Sequence, residues 1–123
     1  MMVRQQELRC HDFDKILLFY GDKGLFTPVF DSLETRLTIQ CAGLNWAYVL
    51  TNQALTPRNI SLDVSDLIVF HRWAKWADDQ GCLHKPMNEC QHQAKHWRFN
   101  FCFKDVLGYY FDIFYYVNHL EYG

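Results

Sequence analysis

Long apolar runs are missing from this chain. The longest, Ile16–Tyr20 and Ile113–Val117, fall far short of the roughly 18 residues that a membrane-spanning helix needs. The first stretch of the sequence also lacks the apolar core of a secretory signal. We therefore expect a cytoplasmic protein that has no membrane partner.

An excess of positive charge is missing as well. The chain has 12 lysines and arginines against 14 aspartates and glutamates, with a formal net charge of −2 and a pI of about 6.3. A protein that coats nucleic acid needs a basic surface, because the phosphate backbone supplies most of the binding. This charge balance excludes such a role, and we expect no nucleic-acid partner.

Cysteine is too sparse for a disulfide scaffold. The five cysteines are an odd number and are spread along the chain, at Cys10, Cys41, Cys82, Cys90 and Cys102. Small secreted domains held by disulfides carry a denser, even set. We expect reduced thiols, with Cys41 and Cys102 buried, because a free cysteine packs as a small hydrophobic side chain.

The chain is rich in apolar and aromatic residues. Of its 123 residues, 50% are hydrophobic and 17% are aromatic. This length fits one domain with a real core, which we expect to span residues 1–123.

Two segments carry start and stop signals of helices. Residues 12–20 begin with Asp12 as a possible cap and are followed by Gly21. Residues 63–80 begin with Asp63 as a possible cap and are followed by Gly81. A carboxylate accepts from the free amides of the first turn, and glycine adopts the left-handed conformation that ends a helix. We predict a helix in each segment.

Residues 28–55 also have helical spacing. Their apolar side chains recur at intervals of three and four residues, after a favourable Thr27-Pro28 start. A straight helix of this length would exceed the width of a small domain, so we expect a break near Ala42-Gly43. The alternative is a pair of strands in 36–43 and 45–51.

Residues 97–121 give two conflicting patterns. Residues 97–104 alternate strictly between aromatic and other side chains, which is typical of a strand. A helical pattern runs through more of the segment, at Phe99, Phe103, Val106, Tyr110, Ile113, Val117 and Leu120. We favour the helix and keep as an alternative a hairpin that turns near Leu107-Gly108. The predicted fold is mostly α, a compact bundle of about four to five helices; the alternative is α+β with a C-terminal aromatic-rich β-hairpin.

Residues 82–96 contain a group of potential metal ligands. They are Cys82, His84, Cys90, His92 and His96. Thiolate and imidazole are ligands that zinc prefers, and His92 and His96 would share one face of a helix over 87–96. The spacing lacks a C-x2-C pair, so an ordinary polar junction is the alternative. We expect no cofactor, with zinc as the one candidate.

Aromatic side chains outnumber the positions that one small helical core offers. The surplus should line a pocket or a subunit interface, and His71 belongs to the same set as a core or interface histidine. The candidates are His71, Trp73, Trp76, Trp97, Phe101, Tyr109, Tyr115 and Tyr116.

Catalytic and nucleotide-binding motifs are missing. The sequence holds no glycine-rich phosphate loop, no HExxH and no GxSxG. We therefore expect a binding or interaction protein rather than an enzyme. It would self-associate, as a dimer, through its aromatic surface and bind a protein or small-molecule partner. The alternatives are a zinc-type metalloprotein and a small-molecule enzyme with a His or Asp base.

Overall fold

The computed structural model describes residues 5–21, 24–91 and 96–118, without the side chains of 86–91, 96–98 and 117–118. The chain divides into two compact units, residues 1–57 and 58–123, where the sequence analysis expects one domain. Both units have the same order of elements: one strand, one helix and then three strands. No helix in the described ranges is long and apolar enough to cross a membrane.

The first unit is a four-stranded sheet with one helix. Its elements are β1 (Gln6–Cys10), α1 (Asp14–Tyr20), β2 (Thr27–Phe30), β3 (Arg36–Cys41) and β4 (Leu44–Leu50). The strands are ordered β1-β4-β3-β2, with β1 parallel to β4 and the other pairs antiparallel. A parallel pair needs a long connection, and here α1, β2 and β3 lie between β1 and β4 in the chain.

The second unit repeats this topology. Its elements are β5 (Asn59–Asp63), α2 (Leu67–Asp79), β6 (Leu83–Gln91), β7 (His96–Lys104) and β8 (Tyr110–Asn118). The order is β5-β8-β7-β6, and again the first strand runs parallel to the last.

The prediction of a mostly helical, all-α bundle is wrong. The segment predicted as a helix over 28–55 contains β2, β3 and β4, which end at Leu50, and residues 96–118 contain β7 and β8. The buried side chains alternate, as Leu37, Ile39 and Cys41 do in β3, so the true period is two. The helical spacing arose because apolar residues also occupy the other face of several strands. Aromatic and β-branched residues favour this pleated surface.

The strand alternatives describe these segments correctly. Strands β3 and β4 are joined by the Ala42-Gly43 turn, and β7 and β8 form the C-terminal hairpin. Residues 105–109 make its turn, where the buried Asp105 accepts hydrogen bonds from the amides of Leu107 and Tyr109, both at 2.9 Å.

The two predicted short helices are confirmed, with shifted starts. Asp66, rather than Asp63, caps α2, because its carboxylate accepts from the amides of Ile68 at 2.9 Å and Val69 at 3.3 Å. Both predicted terminators, Gly21 and Gly81, have positive φ, 62° and 73°.

Aromatic rings fill the core of each unit. In the first unit, Tyr20 of α1 packs edge-on against Phe26 at 4.9 Å and Trp46 at 5.7 Å between centroids. The Tyr20 hydroxyl is also hydrogen-bonded to that of Tyr48 at 2.8 Å. Edge-on ring pairs add to the stabilisation from burial, and the hydroxyl pair satisfies two polar groups inside the core. The predicted burial of Cys41 and Cys102 is confirmed.

The turn between β3 and β4 offers a test of the strand assignment. Ala42 and Gly43 both have positive φ, 48° and 86°, and Cys41 pairs with Leu44, as in a two-residue type I′ hairpin. Alanine is strained there, so Ala42→Asn should raise the free energy of unfolding by about 1 kcal/mol. Denaturant titration measures this change. Gly43→Ala, the matched control, should lower it, and a destabilised Ala42→Asn variant would contradict the hairpin.

Candidate functional site

The second sheet has two chemically different faces. On one face, α2 packs through Phe70, Trp73 and Trp76 against Phe101 and Phe103, with centroids 5.1 to 6.3 Å apart. Because side chains alternate along a strand, the intervening residues of β5, β7 and β8 lie on the opposite face. We call this opposite face the polar face; it carries Asn59, Ser61, Asp63, Asn100, Cys102, Lys104, Tyr110, Asp112, Phe114 and Tyr116.

A pocket of about 180 Å³ lies on the polar face. All four strands of the second sheet contribute to it. Its lining is Asn59 from β5, His84 and Lys85 from β6, Cys102 from β7, and Tyr110 and Asp112 from β8. This is about the size of a cavity that holds one benzene ring, so it suits a single substituted ring.

The strand register brings these side chains together. Asn59 lies opposite Tyr110, and Cys102 lies between Lys85 on one neighbouring strand and Asp112 on the other. Paired residues on adjacent strands point to the same face, so each of these side chains reaches the pocket.

An irregularity in β6 explains how two consecutive residues line one pocket. Leu83 pairs with Phe103 and Lys85 pairs with Cys102, so β6 advances by two residues where β7 advances by one. This is a β-bulge at His84, and bulges redirect side chains in this way. Without the bulge, alternation would place His84 and Lys85 on opposite faces.

Tyr110 provides a flat surface within the pocket. The His84 ring lies 4.8 Å from the Tyr110 ring between centroids, tilted by 58°. On the neighbouring strand, the Lys104 ammonium nitrogen lies 5.6 Å from the centre of the same ring. Since the face of an aromatic ring attracts cations, Lys104 helps to hold Tyr110 in place.

Cys102 is a neutral thiol. Its pKa is raised to about 12, mainly by burial and also by the charge and a hydrogen bond of the nearby Asp112 carboxylate, whereas Lys85 lowers it only in part. A cysteine acts as a nucleophile as its thiolate, which such a pKa suppresses near neutral pH. Cys102 therefore separates Lys85 from Asp112 without adding a charge of its own.

Of the predicted metal ligands whose side chains the structure describes, Cys82 and His84, only His84 lies in the pocket. Cys82 is half-buried at the end of α2, where its Sγ donates to the carbonyl oxygen of Ala77 at 3.5 Å and burial raises its pKa to about 11. His92 and the side chains of Cys90 and His96 lie outside the described residues, and 87–91 is strand rather than helix. The zinc site stays a prediction.

The side chains that the structure describes do not fit a metal centre. They contain no group of three or more His, Cys, Asp or Glu positioned to hold an ion. The donor groups of the pocket are therefore a poor match for a metal ion.

Four of the eight residues predicted to line a pocket or interface lie in the core. Trp73, Trp76, Phe101 and Tyr109 are buried, whereas His71 is exposed and touches Phe70. Tyr115 is half-buried, Tyr116 is 41% exposed, and the side chain of Trp97 is not described. Self-association stays a prediction that rests on fewer residues than the sequence indicated.

The fold is shared with several solved structures at low sequence identity. A glyoxalase/bleomycin resistance protein/dioxygenase from Alicyclobacillus acidocaldarius matches with a TM-score of 0.71 and 17% identity, over 95% of this chain and 92% of that one. The chain has the glyoxalase/bleomycin-resistance fold.

Two further structures support this assignment. TioX from Micromonospora sp. ML1 matches with a TM-score of 0.69 and 12% identity, over 93% of this chain and 95% of its own. Lactoylglutathione lyase from Agrobacterium tumefaciens matches with a TM-score of 0.61 and 12% identity, over 93% and 92%. No protein-family model matches the sequence, and no curated protein resembles it in sequence. At these identities the likeness establishes the fold alone.

Five of the six pocket residues were not predicted from the sequence as site residues. A signal was present: Asp112 is a single charge within an otherwise aromatic and aliphatic run, 109–117, and Cys102 belongs to the alternating 97–104 segment. In a hairpin, both would fall on the face opposite Phe101 and Phe103. The helical interpretation placed them elsewhere.

The neutral state of Cys102 gives a testable prediction. With a pKa of about 12, about one thiol in ten thousand is ionised at pH 8, so iodoacetamide should leave Cys102 unmodified in the folded protein. Peptide mass spectrometry follows each cysteine. In Asp112→Asn, modification of Cys102 should begin at a lower pH, because the variant removes a negative charge beside the thiol and so lowers its pKa.

Asp63→Asn is the matched control for this prediction. Asp63 lies on the polar face of β5, and it is not among the groups that shift the Cys102 pKa. The profile should not move in this variant. Modification of Cys102 at pH 8 at the rate found in denaturant would show an accessible, ionised thiol and contradict the neutral state.

Proposed function

We propose that this protein binds a small organic molecule in the pocket on the polar face of the second unit. The observation that carries the proposal is the convergence of six side chains, drawn from four strands, on one concavity of about 180 Å³. A pocket with an aromatic surface and a few converging polar groups is the usual form of a ligand site.

The contents of the pocket favour binding over nucleophilic attack. Its one thiol, Cys102, has a pKa raised to about 12. The other lining groups are an amide, an imidazole, an ammonium, a phenol and a carboxylate, which donate or accept hydrogen bonds to a ligand. These groups orient a bound molecule without forming a covalent bond to it.

The fold is consistent with this proposal. Structures that share it are named for bleomycin resistance and as a lactoylglutathione lyase, and both names refer to small molecules. The fold is therefore compatible with a small-molecule site, and the residues of the pocket determine which ligand this protein binds.

Nuclear magnetic resonance titration with single-ring compounds tests the proposal. Benzoate, benzylamine and benzamide are added separately to labelled protein, and the backbone amides of Asn59, Lys85 and Tyr110 are followed. At least one compound should shift these amides in a saturable way. The ring of Tyr110 should carry much of the affinity, so Tyr110→Ala should weaken binding about ten-fold.

Tyr116→Ala is the matched control, because Tyr116 is on the same face of β8 as Tyr110 but does not line the pocket. This variant should bind like the parent protein. The proposal would be wrong if none of the three compounds shifted the pocket amides, or if Tyr110→Ala and Tyr116→Ala changed binding equally.

A further inference from the structure

Two opposite charges lie on opposite sides of the pocket. Lys85 and Asp112 flank Cys102 on its two neighbouring strands. Adjacent strands are about 4.8 Å apart, which places the backbones of Lys85 and Asp112 about 10 Å from each other. Among the described residues, neither side chain takes part in an ion pair.

The separation of these charges matters for recognition. An ammonium and a carboxylate in direct contact would largely satisfy each other and leave little for a ligand. Here the protonated Cys102 lies between them. Lys85 can therefore donate to an anionic group of a ligand, while Asp112 can accept from a cationic or hydrogen-bond-donating group.

The middle of the pocket suits a flat ring. Tyr110 is two residues before Asp112 on the same face of β8, and the His84 ring lies against it. A planar ligand that stacks on Tyr110 would extend one end towards Lys85 and the other towards Asp112. The volume of about 180 Å³ limits it to about one ring.

We infer that the ligand is a single-ring compound with a negative group at one end and a positive or hydrogen-bond-donating group at the other. Lys85 binds the negative end, Asp112 binds the other end, and Tyr110 supports the ring between them. This inference rests on the proposed function and specifies the ligand class of the same pocket.

The test uses a dipolar probe and its two halves. The probe is 4-(aminomethyl)benzoate, which carries both charges near neutral pH; benzoate lacks the amine, and benzylamine lacks the carboxylate. Dissociation constants are measured by chemical-shift titration at low ionic strength, where such charges are screened least. Since Lys85 is exposed, each charge should contribute modestly, and the dipolar probe should bind about five-fold more tightly than either half.

Two variants should remove the two contributions separately. In Lys85→Gln, the dipolar probe should bind no better than benzylamine, because the carboxylate has lost its partner. In Asp112→Asn, it should bind no better than benzoate. Each comparison is made between ligands within one variant, so a general change in stability does not produce this crossed pattern.

Lys75→Gln and Asp63→Asn are the matched controls. Lys75 lies on α2, paired with Asp79 at 3.2 Å, and Asp63 lies on β5 outside the pocket lining. Both changes alter the net charge as the test variants do. The five-fold preference for the dipolar probe should persist in both.

The outcomes separate the inference from the proposed function. Suppose that benzamide binds the pocket as tightly as the dipolar probe, and that the relative affinities of all the compounds are unchanged in Lys85→Gln and Asp112→Asn. In that case the inferred ligand class is wrong, while the pocket remains a binding site. If no compound shifts the pocket amides, the proposed function fails and the inference fails with it. The crossed pattern described above supports both.

Discussion

The packing of α2 against one face of the second sheet is the constraint on which the rest of this unit depends. Phe70, Trp73 and Trp76 cover alternate residues of β7 and β8, and the ring of Phe103 stacks on Phe111 at 4.8 Å with nearly parallel planes. Burial of these rings fixes which side chains point inward. A slip of one residue in either strand would exchange the two faces, so the aromatic core also determines the strand register.

The polar face follows from this core. Once Phe101 and Phe103 point towards α2, Cys102 must point away from it, and the same argument places Tyr110 and Asp112 around Phe111. The bulge at His84 adds one side chain that strict alternation would have hidden. The candidate site is thus a consequence of the packing on the other side of the sheet, modified at one position.

Local signals in the sequence predicted part of this structure. The helix terminators Gly21 and Gly81 and the burial of Cys41 and Cys102 follow from short-range chemistry. The strands were harder to predict from the sequence. Aromatic residues occupy both faces of β7 and β8, so the apolar residues of this segment also recur at helical intervals by chance. Trp73 and Trp76 were assigned to a ligand or interface surface because a small helical core appeared too small for them; two sheets provide more core positions.

The pocket could not be predicted because it depends on pairing between distant segments. Alternation alone places Cys102 and Asp112 on one face, but the position of Asn59 opposite Tyr110 requires the parallel pairing of β5 with β8. That pairing joins segments separated by a helix and two strands, and no residue pattern within either strand specifies it. The separation of Lys85 from Asp112, on which the proposed recognition depends, arises instead from the antiparallel pairings of β6 with β7 and of β7 with β8.

A crystal structure of the protein with 4-(aminomethyl)benzoate would locate the bound molecule and show its orientation. We expect one molecule on the polar face of the second sheet, with its ring on Tyr110, its carboxylate at Lys85 and its amine at Asp112. A molecule bound in the reverse orientation would contradict the assignment of the two charges. A fully occupied probe elsewhere, with the pocket empty, would contradict the site itself.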